Sequence, residues 1–217
     1  MVASRRWETN RIEAFSDGVF AIAITLLVLE IKIEPEQLDH LLRALLDEWP
    51  AYLAYVTSFL TVGSVWIAHH NLYTHLRFVD PVLLRLNMLL LLAAAFLPFP
   101  TAIMAQAFDA SENAERVAVA FYGGTALVIE LLLRAAVTYA ASRPDLTDTP
   151  PPGAAPPSQP KRHWREAVTA SLYALAILAG IFIFPRLAAA AYLLVAIRGM
   201  LVVGGEGRLS LRGLTPR

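Results

Sequence analysis

From Val19 to Leu29 the chain reads VFAIAITLLVL, with Asp17 two residues ahead of the run and Glu30 directly behind it. As a helix, the stretch from Arg11 to Ile33 is long enough to cross most of a bilayer's hydrocarbon core. A carboxylate at the edge of such a run is expensive in lipid, so Asp17 must face protein or water and have a task there. Few soluble architectures accommodate this stretch, and the rest of the chain repeats its character. Of the 217 residues only 17% are charged and 57% are hydrophobic, where a soluble domain carries about a quarter charged residues. Mean hydropathy is +0.53. Backbone groups in lipid must be satisfied within helices or closed barrels. A barrel needs short alternating strands, whereas these apolar runs are long and unbroken. The expected class is therefore an all-α integral membrane protein. The absence of cysteine excludes disulfides and thiolate metal sites. A formal net charge of zero gives no footprint for nucleic acid as a partner.

Six apolar runs are visible: Phe15 to Ile33, Pro50 to Ile67, Val82 to Ala105, Val117 to Ala141, Trp164 to Phe184 and Leu187 to Val203. They predict six transmembrane helices in a single domain covering 1–217. The third should bend or end at Pro98 and Pro100. The first follows Arg5 and Arg6 as a signal peptide would, but Asp17 and the length of the run speak against cleavage. With the N-terminus inside, the inner segments collect Arg5, Arg6, Arg11, Arg77, Arg85, Arg143, Lys161, Arg162, Arg165, Arg208, Arg212 and Arg217. The outer ones hold Lys32, Arg43, Arg116 and Arg186. That bias predicts both termini in the cytoplasm. The outer loop from Glu34 to Trp49 places Leu38, Leu41, Leu42, Leu45 and Leu46 at helical spacing, as a short amphipathic helix would. Its acidic residues fit either a solvated connector or a mouth that concentrates cations. Residues 142–160 are rich in Pro, Gly, Ala and Ser, and are expected to be a disordered cytoplasmic linker between spans four and five.

On a helical wheel Ile22, Leu26 and Leu29 share one stripe, with Thr25 at its margin and Phe15 and Gly18 extending it inward. Arg11 and Asp17 are six residues apart and form no i,i+3 or i,i+4 pair, so each needs a partner from another helix. The second run returns toward the cytoplasm and ends in Trp66, His69, His70, Asn71 and His75, and the third begins with Arg85 and Asn87. A polar cage of Arg11, Ser16, Asp17, Trp66, His69 or His70, Asn71 and Asn87 follows from burial physics. It could serve as an interhelical clamp, as a titrating gate, or, less in keeping with the spacing of His69, His70 and His75, as a metal site. Glu130 and Arg134 are spaced for an intrahelical ion pair. No nucleophile motif or metal-ligand spacing accompanies the cage, so neither an enzyme nor a cofactor is expected.

The pattern Arg11-x-x-x-Phe15-Ser16-Asp17 followed by GVFAIAITLLVLEI resembles the signature of the transmembrane protein 175 family. Trp66-Ile-Ala-His69-His70, Val79-Asp80 and Leu97-Pro-Phe-Pro-Thr101 resemble its bacterial members. The resemblance implies a potassium-permeable cation channel without a carbonyl filter. It also implies a homotetramer of six-helix subunits in a bacterial inner membrane, with the first helices lining a central pore. By the same resemblance Ile22, Leu26 and Leu29 would form an apolar constriction. Gly18, Thr25 and Glu30 would line the pathway for potassium and other monovalent cations. The motif residues would hold the pore helix against its neighbours. The competing expectation is a proton-coupled secondary transporter working through Asp17 and the histidines. Such transporters usually carry internal repeats and broken helices at the midplane.

Overall fold

In the computed structural model of the chain, residues 7–108, 110–147, 159–182 and 184–210 are described, with side chains for all but 159–167 and 202–210. The order is β1 (Trp7–Glu8), α1 (Thr9–Leu26), α2 (Leu41–Asp47), α3 (Trp49–Tyr73), β2 (Phe78–Val79), α4 (Pro81–Phe96), α5 (Pro98–Ala107), α6 (Glu112–Ala141), α7 (Gln159–Phe182) and α8 (Pro185–Ser210). A helix lies within each of the six apolar runs. Among the described residues four stretches are long and apolar enough to cross a membrane: Thr9–Glu30, Trp49–Tyr73, Pro81–Ala107 and Glu112–Ala141.

The first run departs from a straight helix. After Leu26 it tightens into a 3-10 turn over Leu27–Glu30, and Ile31 is already extended. The alternation of Ile31, Lys32 and Ile33 favours extended backbone, because β-branched side chains crowd a helix. Helical structure thus stops at Glu30, short of the expected Ile33. The third run breaks as the prolines require. Pro98 has no N–H for the Ala94 carbonyl, which instead accepts from Leu97 N at 3.2 Å. Thr101 Oγ1 then donates to the Leu97 carbonyl at 2.8 Å, so the break leaves that acceptor satisfied.

The end of the bundle where α1 begins (the near end) is laced together by short irregular pieces. β1 pairs antiparallel with β2, Trp7 opposite Val79 and Glu8 opposite Phe78. Asp80 caps α4 by accepting from Val82 N at 3.1 Å and Leu83 N at 2.9 Å, with Pro81 at the first helical position. Its other oxygen accepts from the Tyr139 hydroxyl of α6 at 2.5 Å, and Arg143 lies 3.7 Å away. Burial pushes the Asp80 carboxyl up. The Leu83 N–H, the Tyr139 hydroxyl, the Arg143 charge and the Val82 N–H outweigh it and hold the group below its ordinary value. The start of the Pro-rich stretch is folded and not a free linker. Arg77 N donates to the Leu146 carbonyl at 2.9 Å, Leu76 bridges to Thr147, and the Leu146 side chain is fully buried. Residues 148–158 lie outside the described residues, as do Arg5, Arg6, Arg212 and Arg217.

The opposite, far end has its own ties. Glu115, buried near the start of α6, takes a two-pronged contact from Arg186, with Nη2 to Oε1 at 2.8 Å and Nε to Oε2 at 3.3 Å. Arg116 Nη1 donates to the Ile181 carbonyl at the end of α7 at 2.5 Å. Between the two ends, Ser58 of α3 meets Thr101 Oγ1 at 2.8 Å and donates to Tyr122 Oη at 3.2 Å. Tyr192 Oη donates to the Val119 carbonyl at 3.1 Å. Gly123 permits that approach, since a Cβ there would lie 2.1 Å from Tyr192 Oη. Arg198 is anchored to Thr169 Oγ1 at 2.7 Å. The five leucines of the amphipathic stretch (Leu38, Leu41, Leu42, Leu45 and Leu46) are exposed on a 3-10 turn over Pro35–His40 and on α2.

Candidate functional site

α1 packs against α3 and α4, and the polar residues of all three meet in its first turns. Ser16 Oγ donates to the Ile12 carbonyl one turn back at 2.8 Å. Asn87 Nδ2 donates to Ser16 Oγ at 3.0 Å, and Asn87 Oδ1 lies 2.8 Å from His69 Nε2. The direction of this string follows from its members. Asn87 uses its NH2 on Ser16, so its oxygen accepts, and a neutral His69 carries its proton on Nε2. Ser16, His69 and Asn87 are all buried. The His69 ring stacks on Tyr73 at 4.3 Å and meets the edge of Phe20 at 5.4 Å. Such a string of neutral groups brings no charge into the bundle, and it leaves the buried His69 Nδ1 without a hydrogen-bond partner among the described residues.

A second layer is more exposed. The Trp66 indole N–H donates to Asp17 Oδ1 at 2.8 Å. His70 Nδ1 donates to Glu13 Oε1 at 2.8 Å, and the Trp66 and His70 rings stack at 6.0 Å. Glu13 and Asp17 are one turn apart on α1, as Trp66 and His70 are on α3. Two antiparallel helices therefore match them rung for rung. Glu13 is the cage member that a sequence reading misses, although the two i,i+4 pairs were its signal. Arg11 is exposed and joins neither layer, and Asn71 contributes only its carbonyl, to His75 and Thr74. Phe15 is exposed.

Asp17 and His69 end on separate strings. One stops at the Ile12 carbonyl, the other at Trp66, and neither an asparagine amide nor an indole titrates to pass a proton between them. The three histidines face three different partners: Asn87, Glu13 and the Asn71 carbonyl. No group of His, Asp and Glu among the described residues is placed to hold a metal.

Beyond the cage α1 changes character. Ser16, Phe20, Ala23 and Leu27 face the bundle. On the opposite side Ile22 is 61% exposed, Leu26 41% and Leu29 62%, with Gly18 and Thr25 exposed beside them. Leu29, in the 3-10 turn, follows three residues after Leu26 and shares its exposed side. Thr25 Oγ1 donates to the Ile22 carbonyl at 2.9 Å, which leaves its lone pairs facing outward. Glu30 is half-buried at the end of the turn.

A mostly helical membrane bundle, anchored by a polar cage at one end of an otherwise apolar and largely uncovered first helix, is the class these features define. The family model described as the endosomal/lysosomal potassium channel TMEM175 matches residues 11–98, which hold both cage and stripe. A protein from Streptomyces collinus named as a potassium channel is 44% identical over 132 residues, 59% of this chain and 62% of its own length. Another so named, from Chamaesiphon minutus, is 42% identical over 143 residues, 64% of this chain and 70% of its own. The crystal structure of a lysosomal potassium-selective channel TMEM175 homologue from Chamaesiphon minutus superposes with a TM-score of 0.77 at 34% identity, over 90% of this chain and 97% of that one. The chain belongs to the TMEM175 family.

Proposed function

We propose that the chain is a potassium-permeable cation channel. Four copies of a six-span subunit surround a pore lined by α1, in a bacterial cell membrane with both termini in the cytoplasm. The observation that carries this reading is the uncovered side of α1. Only 22% of its apolar window is buried within the subunit, against 39% for Glu112–Ala141, 44% for Trp49–Tyr73 and 56% for Pro81–Ala107. A helix held so firmly at its base and so little along its length suits a position on a symmetry axis, where identical copies supply the missing neighbours. The relatives' names supply the ion.

In that arrangement Ile22, Leu26 and Leu29 form stacked apolar rings that close by dewetting and open by small outward shifts. Gly18 leaves room below them. Four Thr25 hydroxyls offer the first oxygen atoms a potassium ion meets between the rings. Four Glu30 carboxylates draw cations to the far mouth. The cage of Ser16, Asp17, Trp66, His69 and Asn87 fixes the base of each pore helix and takes no direct part in conduction.

Reconstitution into liposomes tests the proposal. The wild-type protein should carry a potassium flux and run in detergent at four times the mass of the 23.8 kDa chain. Leu26→Ala should raise the flux several-fold and reduce discrimination against sodium. A monomeric protein, or a Leu26→Ala variant with unchanged flux and selectivity, rules out the shared pore.

A further inference from the structure

On the side of α4 turned away from the cage lies a groove of about 840 Å³ between α4 and α6. Leu89, Leu92 and Phe96 form one wall, and Phe121, Val128 and Leu132 the other. The one hydroxyl in it, Thr125, is turned back onto its own helix, to the Phe121 carbonyl at 3.0 Å. The groove therefore offers nothing to a polar ligand. Its floor is open at Gly124, where an added Cβ would meet nothing within 4 Å. Its far end is closed by Phe96, set edge-on against Phe121 at 6.1 Å. Its near end lies beside Leu89 and Leu132. There, one turn before Leu89 and on the same α4 face as Leu89, Leu92 and Phe96, stands Arg85. Arg85 is exposed and makes no ion pair or hydrogen bond with the described residues.

Depth agrees with this layout. At 1.5 Å per residue, Arg85 sits about 6 Å from the start of α4, Leu89 about 12 Å and Phe96 about 22 Å. A bilayer is about 40–45 Å thick with its headgroups, so the arginine falls near the headgroup boundary and the closed end near the midplane. The groove is one leaflet long.

We infer that this groove is a binding site for an anionic phospholipid, with one acyl chain between α4 and α6 and the headgroup phosphate on Arg85. An apolar slot alone would accept any acyl chain. The guanidinium at its near end selects for negative charge, because it can pair bidentately with a phosphate and has no carboxylate partner among the described residues. That the leaflet is the cytoplasmic one rests on the orientation proposed above; the site itself does not depend on it.

Native mass spectrometry of the full-length protein in detergent tests this without reference to ion flux, so it fails or succeeds independently of the channel reading. Dioleoylphosphatidylglycerol and dioleoylphosphatidylcholine are the probes. Wild-type protein should retain phosphatidylglycerol with a preference of about fivefold, the size one arginine near an anionic lipid surface produces. Arg85→Gln should reduce that preference to parity, whereas Arg43→Gln, in an exposed pair with Asp47 on α2, should leave it intact. Gly124→Leu should expel both lipids at unchanged oligomeric mass. If that variant does not fold, Leu92→Trp fills the groove from the opposite wall and gives the same reading. Parity in the wild type, or a preference that survives Arg85→Gln, overturns the proposal. So does a groove-filling variant that alters oligomeric mass while lipid stays bound, because the groove would then house a second copy of the chain.

Discussion

α6 is tied to its neighbours at both ends, whereas α1 is tied at one. α6 meets Arg186 and the Ile181 carbonyl through Glu115 and Arg116 at the far end, and Asp80 through Tyr139 at the near end. α1 has β1, Glu13, Ser16 and Asp17 at the near end, and from Gly18 onward only packing on one side. The same apolar composition thus supports two different tasks. A helix fixed at both ends sets the spacing of the bundle. A helix fixed at its base keeps its other face available and its far half able to adjust.

The sharpest way to break this contrast is to alter the tight side of α6. Gly123→Ala drives a methyl into Tyr192 and Ile177. Overpacking and the displaced Tyr192 hydrogen bond should together cost about 3 kcal/mol, read as a large drop in melting temperature in detergent. Next comes the base of α1. Asn87→Ala strands Ser16 and the His69 N–H in a buried site and should cost about 2 kcal/mol. Trp66→Phe, which removes only the half-exposed bond to Asp17, should cost less. A smaller, pH-dependent effect belongs to Asp80. Its folded pKa is depressed, so its contribution is present above the unfolded value of about 3.9 and fades as pH falls through the folded one. Asp80→Asn should therefore melt below wild type at pH 7, with the gap narrowing below about pH 4. Last, Gly18→Ala on the open face of α1 meets nothing within 4 Å and should change stability by less than about 0.5 kcal/mol. A large loss there would mean that another copy of the chain packs closely against this face.

Much of this was legible in the chain. Long apolar runs report helices because no other element satisfies its backbone in lipid, and Pro98 and Pro100 mark their break by chemistry alone. Asp17, with nothing to pair with nearby, points to another helix, and the Trp66 indole of α3 donates to it. Which partner it is depended on the register between α1 and α3, and periodicity within one helix cannot give that. Hence Glu13 is not legible as a cage member, while Arg11 and Asn71 read as members of a cage they do not join. The β1–β2 ladder is only two residues long, too short for any alternation to show. Leu146 was hidden by the prolines around it: one apolar residue in a polar stretch reads as exposed until its pocket is known. Asp80 followed by Pro81 was a readable cap, but its bond to Tyr139 spans 59 residues and is a property of the fold.

The separations within the cage have a consequence for how the chain is made. Ser16 is 71 residues ahead of Asn87, Glu13 is 57 ahead of His70, and Asp17 is 49 ahead of Trp66. At about 5–20 residues per second of synthesis, α1 exists for several seconds before the last of its polar partners has been made. During that interval water at the membrane surface must serve Ser16 and Asp17. Their place within the first turns of the helix keeps them near that surface until α3 and α4 arrive to take over.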